Sequence, residues 1–337
     1  MKILFIGGTG TLSTACAKAC VSAGMDVHLL LRGTRNHRVP SGANVIQCDL
    51  RKEPKQAADL LKGQEWDCVA DFVLYEPEHT RQDVELFKGR TKKFFFISST
   101  SVYEKPLASP YVNEKTPTGN KFWSYAQKKA ECENLFLKES AQGKFPGTIV
   151  RPCHTYAEFT CPTGFAGLGF GAVKRMREGK PIVVHGDGTS LWTLTFNEDF
   201  AAGFVPLLSV NSAAGEIFQV TSDETLTWNQ IYETMAQFLK CEVKLVHAPS
   251  DWMAKFDEEL GRTLLGDKAH SHIYDNAKMR KTVPAFKPKV SFKQGFEKCM
   301  NWFKEHEKDA RYNRAQDELM DAIAESIQQS GPLTARS

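Results

Sequence analysis

The chain has 337 residues, and 43 lysines and arginines against 40 aspartates and glutamates leave a formal charge of +3, too near neutral for a protein that grips nucleic acid through a strong basic field. Its 42% hydrophobic and 25% charged residues, with a mean hydropathy of −0.37, fit a soluble globular chain and exclude a disordered or membrane-spanning one. At this length a single core stops growing, so two lobes are expected.

The first 150 residues alternate strand-like and helix-like runs. Lys2–Ile6 reads as a strand, too short for a signal-peptide core or a membrane span. Leu12–Ala23 reads as a helix stopped by Gly24, and Asp26–Leu31 as a second strand. There follow a strand at Asn44–Gln47, a helix near Pro54–Lys62, a strand at Asp67–Leu74, a helix near Glu78–Lys88 and a strand at Lys93–Ser98. Gly63 and Gly89 close the two helices, as glycine commonly does. Strands alternating with helices of this length are βαβ units, which predicts an α/β fold: a Rossmann-type, doubly wound parallel sheet with a smaller, mixed C-terminal lobe.

After Gly147–Arg151, Pro152, Pro162 and the glycines at 164, 167, 169 and 171 mark the passage into that second lobe. Helices are expected near Ala172–Glu178, Glu198–Leu208, Trp228–Leu239 and Phe292–Lys304, with strands at Pro181–His185, Glu216–Val220 and Glu242–His247. The expected division is a dinucleotide-binding lobe over 1–155 with a returning strand at 216–220, a substrate lobe over 156–305, and a charged, solvated helical tail over 306–337 with a frayed end. The nine cysteines are odd in number and form no CxxC pair, which points to reduced thiols and the cytoplasm. Cys16 and Cys20 share a helix face, but nothing nearby completes a zinc site. They read as small packed residues, and no metal is expected.

Three segments carry chemistry. Gly7-Gly8-Thr9-Gly10-Thr11-Leu12-Ser13 follows the first strand and opens the first helix, where glycines let the backbone approach a pyrophosphate and the helix N-terminus offers free N–H groups. The third glycine of the dinucleotide fingerprint is Ser13, and a plain glycine turn is the alternative. Tyr125 and Lys129 are four apart on a helix, so the ammonium sits near the phenol and favours phenolate; an ordinary exposed face is the alternative. Phe94–Ile97 ends in Ser98-Ser99-Thr100-Ser101-Val102-Tyr103, a hydroxyl cluster at the carboxyl end of a strand, where ligands of open α/β sheets bind.

With Arg151-Pro152-x-x-x-Tyr156, these motifs stand in the order and spacing of the extended short-chain dehydrogenase/reductases, and the chain resembles their NAD-dependent epimerase/dehydratase branch, which acts on nucleotide sugars. The likeness continues through His185-Gly186-Asp187-Gly188-Thr189 and Asn197-Glu198-Asp199 to Asp275-Asn276-Ala277-Lys278. It implies that Tyr125 is the catalytic base, that Lys129 lowers its pKa and holds the nicotinamide ribose, and that Ser99 hydrogen-bonds the reacting oxygen. It implies further cofactor contacts from Gly7, Thr9, Gly10, Thr11, Leu12, Leu50, Phe72, Ser98 and Pro152, and from Asp49 to the adenine amine, although Asp49 also suits a plain turn. His154 is either a nicotinamide contact or a packed core histidine. A homodimer is implied by the same likeness.

Three departures shape the expectation. Arg32-Gly33-Thr34-Arg35 ends the second strand where NAD enzymes carry an acid, and a cation there suits the 2′-phosphate of NADP. Thr100-Ser101 replaces the Asp-Glu pair of the 4,6-dehydratases, which argues against dehydration. Trp192 stands where an arginine usually meets the diphosphate, so it either stacks on a substrate ring or packs between lobes, with Arg175, Arg177 and Arg280 as possible replacements. Substrate contacts are therefore expected from Thr100, Ser101 and Trp192. The expected activity is NAD(P)-dependent oxidation, reduction or epimerisation of a sugar, a nucleotide sugar foremost, with NADP favoured. The alternatives are a ketone reductase on a smaller substrate, or a non-catalytic dinucleotide or RNA-binding protein like some plastid-type members of the superfamily. The short basic runs at Lys92-Lys93, Lys128-Lys129 and Lys278–Lys281 are too sparse for an RNA stripe, so nucleic acid is not an expected partner.

Overall fold

The computed structural model describes residues 1–143, 145–308, 310 and 312–330. The strand-helix alternation forms the doubly wound parallel sheet that the sequence predicts. Its strands are β1 (Lys2–Ile6), β2 (Asp26–Leu31), β3 (Asn44–Gln47), β4 (Cys68–Asp71) and β5 (Phe94–Ile97), followed by Gly147–Pro152 and Ile217–Val220. They lie in the order Ile217–Val220, Gly147–Pro152, β5, β4, β1, β2, β3, every neighbouring pair parallel. The chain leaves β1 toward β2 and β3 and then crosses to β4 on β1's other side. A crevice therefore opens at the carboxyl ends of β1 and β4, as it does wherever strand order reverses.

Both sheet faces are covered, which is why the central strands are apolar throughout. One face packs on α1 (Thr11–Ser22) and the helix Asn197–Leu207 through Cys16, Ala17, Cys20, Phe200 and Phe204. The other packs on α2 (Pro54–Leu60), α3 (Pro77–Phe87) and α4 (Ser124–Ala141) through Ala57, Phe87, Cys132 and Phe136. Cys16 and Cys20 are thus packed core residues, and burial pushes both thiols up. A separate apolar cluster lies off the sheet. It gathers Gly171–Arg177, Ile182–His185, Trp228–Leu239 and Phe292–Glu305 around Trp228, Met235, Phe296 and Phe303.

Three expectations are corrected. β4 is shorter than Asp67–Leu74 because Asp71 turns the chain outward, its carboxylate accepting from the amide of Val73 at 2.6 Å. The strand expected at Glu242–His247 lies at Leu245–Ala248, since Lys240 takes a left-handed turn at φ +55° and the next residues remain loop. The tail is not a solvated helix. Arg314–Ser330 buries Met320, Ile323 and Ala324 in the off-sheet cluster, and Asp317 binds Arg175 at 2.7 Å. Its charges form one face and its apolar residues the other, so local composition hid an amphipathic element. The expected fray at 331–337 lies outside the described residues.

Candidate active site

Loops leaving β1 to β5 and Gly147–Pro152 enclose a cleft of about 610 Å³. Its floor is the glycine loop. Gly7 sits at φ +77°, and a Cβ there would lie 2.8 Å from Val73 Cγ1. At Gly8 a Cβ would lie 2.6 Å from Leu29. Gly7 and Gly10 leave the backbone bare where it lines the cleft, and the chain enters α1 with Gly10 as N-cap and no acidic residue in the first turn. Ser13, in place of the third glycine, accepts from the amide of Gly10 at 2.9 Å and holds the loop closed. Thr9 to Ser13 line the cleft. A bare backbone at the positive end of a twelve-residue helix fits a pyrophosphate.

The walls come from the strand ends. Arg32, Gly33, Thr34 and Arg35 follow β2, Asp49 and Leu50 follow β3, Phe72 follows β4, and Ser98 and Pro152 face them. Neither Arg32 nor Arg35 takes part in any of the ion pairs among the described residues. Asp49 turns its carboxylate back to the amide of Arg51 at 3.2 Å, so it is a turn-former as well as a wall. The Ser98 hydroxyl is buried without a hydrogen-bond partner. A buried polar atom left unpaired at a cleft fits a bound group.

At one end of the cleft Ser99, Tyr125 and Lys129 meet. Lys129 reaches from α4 to the carboxyl ends of β4 and β5 and donates to the carbonyls of Leu74 at 2.7 Å and Ile97 at 2.9 Å. Its ammonium lies 4.7 Å from the Tyr75 ring centre and 5.9 Å from that of Tyr125. Burial pushes Lys129 down to about 8, with nearby Asp71 opposing. Burial, then Tyr75, pushes the Tyr125 phenol up, while a hydrogen bond with Ser99 pulls it back. The Ser99 hydroxyl is fixed by Ser101, whose amide and hydroxyl approach it at 3.2 and 2.9 Å. The arrangement offers a proton-transfer phenol, a cation beside it and an oriented hydroxyl, which together suit chemistry at a carbinol or carbonyl oxygen.

Four expected site residues lie outside the cleft. The strand His154–Tyr156 pairs with Leu194–Phe196, and this swings the His154 ring away while Cys153 and Thr155 face the cleft. His154 accepts from the Trp192 indole at 3.1 Å, and burial pushes its imidazole down to about 3. Trp192 is 3% exposed and packs 5.3 Å from Trp228. Thr100 accepts from the Tyr274 hydroxyl at 3.0 Å, and Ser101 serves Ser99. Two of the arginines considered for a diphosphate are engaged: Arg175 with Asp317 and Asp321, and Arg280 with Asp223. Arg177 stacks over Phe303 at 5.6 Å.

The sequence reading missed Arg51, Tyr75 and His79, which also line the cleft. Arg51 binds Asp71 and, at 2.7 Å, Asp83, both carboxylates fully buried. Burial, with Asp71 adding, pushes Asp83 well up. Asp71 is the last residue of β4, so the strand-end rule that found the serine cluster points to it as well.

Residues 78–221 match the family model described as the NAD dependent epimerase/dehydratase family. The chain is 26% identical over 232 residues to a UDP-N-acetyl-alpha-D-glucosaminuronate decarboxylase of Bacillus cytotoxicus, a match spanning 66% of this chain and 66% of the relative. It is 21% identical over 286 residues to 2'-dehydrokanamycin reductase of Streptomyces kanamyceticus, spanning 85% of this chain and 80% of the relative. The fold superposes with a TM-score of 0.73 and 19% identity on the UDP-glucuronic acid 4-epimerase of Bacillus cereus in complex with UDP-glucuronic acid and NAD, over 90% of this chain and 99% of that one. The family match covers the segment that carries Ser99, Tyr125 and Lys129.

Proposed function

We propose that the protein is an NAD(P)-dependent oxidoreductase or epimerase that works at a carbinol carbon of a sugar, a nucleotide sugar being the leading class. The observation that carries the reading is the meeting of Ser99, Tyr125 and Lys129 in the cleft that the bare glycine loop floors. The names of the relatives support the substrate class: a nucleotide-sugar decarboxylase and a nucleotide-sugar epimerase. Tyr125 takes or returns the hydroxyl proton, Ser99 orients the reacting oxygen, and Lys129 supplies the cation that stabilises phenolate and reaches the ribose. The dinucleotide supplies hydride acceptance and return. Thr100-Ser101, one contacting Tyr274 and the other Ser99, gives no acid–base pair for loss of water.

NADP(H) is the preferred cofactor in this reading, supported by Arg32 and Arg35 at the end of β2. The same reading divides the chain into a cofactor lobe over 1–155 with the strand at 216–220, a substrate lobe over 156–305 and a tail over 306–337. It takes the protein to be a cytoplasmic homodimer, supported by the nine free cysteines for the location and by the family likeness for the dimer. Among the described residues no helix is long and apolar enough to cross a membrane.

The test is Tyr125→Phe. It keeps dinucleotide binding and loses turnover by ~10²-fold or more, the scale of a removed general acid–base. Net oxidation is followed by nicotinamide absorbance and epimerisation by sugar chromatography. An undiminished rate removes Tyr125 from the chemistry and the reading with it.

A further inference from the structure

Along one wall of the cofactor cleft lies a buried ion cluster that the proposed chemistry does not use. Arg51, from the loop after β3, binds Asp71 at the end of β4 and Asp83 in α3, the latter through both guanidinium tips at 2.7 and 3.1 Å. It also reaches the His79 carbonyl at 3.5 Å and the Gln82 side chain at 3.4 Å. Both carboxylates are fully buried, and the Arg51 side chain is 13% exposed. Taking two carboxylates and a guanidinium out of water costs about as much as their pairing returns. A cluster of this kind beside a cleft therefore points to function more than to stability.

Asp71 is the member whose influence extends to the reacting end. One of its carboxylate oxygens takes the Arg51 guanidinium and the other accepts from the Val73 amide at 2.6 Å, so both are committed. Held in this way, Asp71 shapes the bend through residues 72–74, which the Phe72 amide pins to the carbonyl of Ile6 at 3.0 Å. On one side of the bend Val73 packs against the glycine loop, where a Cβ on Gly7 would lie 2.8 Å from it. On the other, the buried Leu74 turns its carbonyl to Lys129 Nζ at 2.7 Å, and the Ile97 carbonyl at the end of β5 takes a second N–H at 2.9 Å. An ammonium has three donors, so the two carbonyls leave one for the cleft that Lys129 lines.

The charges around the ammonium agree with the geometry. Burial pushes Lys129 down to about 8, and Asp71 leads the groups that oppose this, with Arg51 acting the other way. On α4 itself lie Tyr125, Cys132 and Glu133, the last turned to Arg151 by two hydrogen bonds. From α3, His79 is pushed down by burial and then by Arg51, and Glu76, just before that helix, is drawn to Lys128 at 2.7 Å. The rings of Tyr75, Phe96 and Tyr125 lie 4.7, 4.8 and 5.9 Å from the ammonium. Asp71 is thus the carboxylate that both shapes the ammonium's seat and answers its charge.

We propose that Asp71 is a positioning residue for Lys129: it shapes the bend whose carbonyl aims the ammonium and carries the counter-charge, with Arg51 and Asp83 holding it in place. The proposal rests on the reading of Lys129 as the cation of the cofactor cleft. It is tested by a pH titration of the full chain labelled with ¹³C-lysine and ¹³C-aspartate, the Lys129 resonance being assigned by its absence from Lys129→Met. In Asp71→Asn, which keeps an oxygen for the Val73 amide, the Lys129 midpoint falls by about one pH unit or more, the effect of losing an adjacent opposite charge. A merely structural aspartate gives the reverse, since a loosened bend exposes the ammonium and its midpoint climbs toward about 10.4. That result, or an unmoved midpoint, overturns the proposal. Dinucleotide affinity is read by tryptophan fluorescence with the tighter-binding of NADP⁺ and NAD⁺. In Asp71→Asn it is about fivefold weaker at pH 8 and unchanged at pH 6, because only the higher pH strips the proton from the altered lysine. Equal weakening at both pH values marks a structural role and overturns the proposal. A midpoint that falls without any pH split in affinity upholds Asp71 and instead removes the ribose contact of Lys129 from the functional reading. Should Asp71→Asn fail to fold, the wild type decides: its Asp71 carboxyl resonance inflects at the Lys129 midpoint, and no inflection there overturns the proposal.

Discussion

Lys129 shows what a single residue's surroundings add to its sequence position. Spacing alone places its ammonium near Tyr125, and the structure adds that this ammonium is buried, held by two carbonyls and pushed down to about 8. A free lysine titrates near 10.4, so between about 8 and that value the unfolded chain holds a proton that the folded one has released, and folding stability contributed by this group rises with pH across that window. Cofactor binding runs the other way, because the ribose contact needs the protonated form. Dinucleotide affinity, read by fluorescence titration from pH 7 to pH 9.5, falls as pH passes about 8, by up to about tenfold per unit. In Lys129→Met the affinity is lower throughout and the pH dependence disappears. A wild-type affinity that stays flat over this range removes the ribose role. The meeting of Tyr125, Lys129 and Ser99 was legible because it follows from spacing on one element and from position at one strand end. For His154 and Trp192 the sequence left a packed core residue as one of two alternatives, and short strand pairings, invisible in the sequence, decide which way each ring points.

Element boundaries followed glycine and periodicity closely, and they failed where a side chain rather than a breaker ends the element. β4 stops at Asp71 because the aspartate accepts from the nearby Val73 amide and binds Arg51, a partner from another part of the chain. The same limit hid the role of Arg314–Ser330, whose charged face is plain in the sequence and whose partner surface is not. Met320 on this helix is fully buried. Met320→Ala therefore costs about 2 to 5 kcal/mol, the range for buried methionine truncation, and is read by urea denaturation. A change within about 0.5 kcal/mol, the range of surface substitutions, shows the helix to be dispensable. At the end of β2 the element carries cofactor choice. Arg32 is exposed, borders the cleft and makes no ion pair among the described residues. Arg32→Ala weakens NADP(H) binding about tenfold or more and leaves NAD(H) unchanged, since only the former has a phosphate for the guanidinium to meet. Equal affinities for the two cofactors in the wild type, unaltered by the substitution, mark the arginine as a surface charge.

At the scale of the whole molecule the question is how a nucleotide sugar's diphosphate is held, since Trp192 has moved into the aromatic core and the candidate arginines are engaged. They are not engaged equally. Arg175 is buried, pairs with Asp317 and Asp321 and also donates to the carbonyl of Pro181 at 3.0 Å, so withdrawing it would take from the buried Asp317 its closest cation and leave it Tyr312 and the half-exposed Lys180. Arg280 pairs with Asp223 at 2.9 Å with both side chains about half exposed, an ion pair of the kind that contributes little and exchanges readily. Arg280 is therefore the arginine that can turn to a diphosphate without cost to the fold. Thermal shift with the dinucleotide present gives the expected outcome: UDP and UDP-glucose raise the melting temperature, glucose alone does not, and Arg280→Ala removes most of the UDP response while leaving the unliganded melting temperature in place. No response to any nucleoside diphosphate would exclude the nucleotide-sugar class and leave a free sugar or small alcohol as the substrate. A UDP response that survives Arg280→Ala would assign the diphosphate to Arg177, which is exposed and makes only a ring contact with Phe303, or to backbone donors instead.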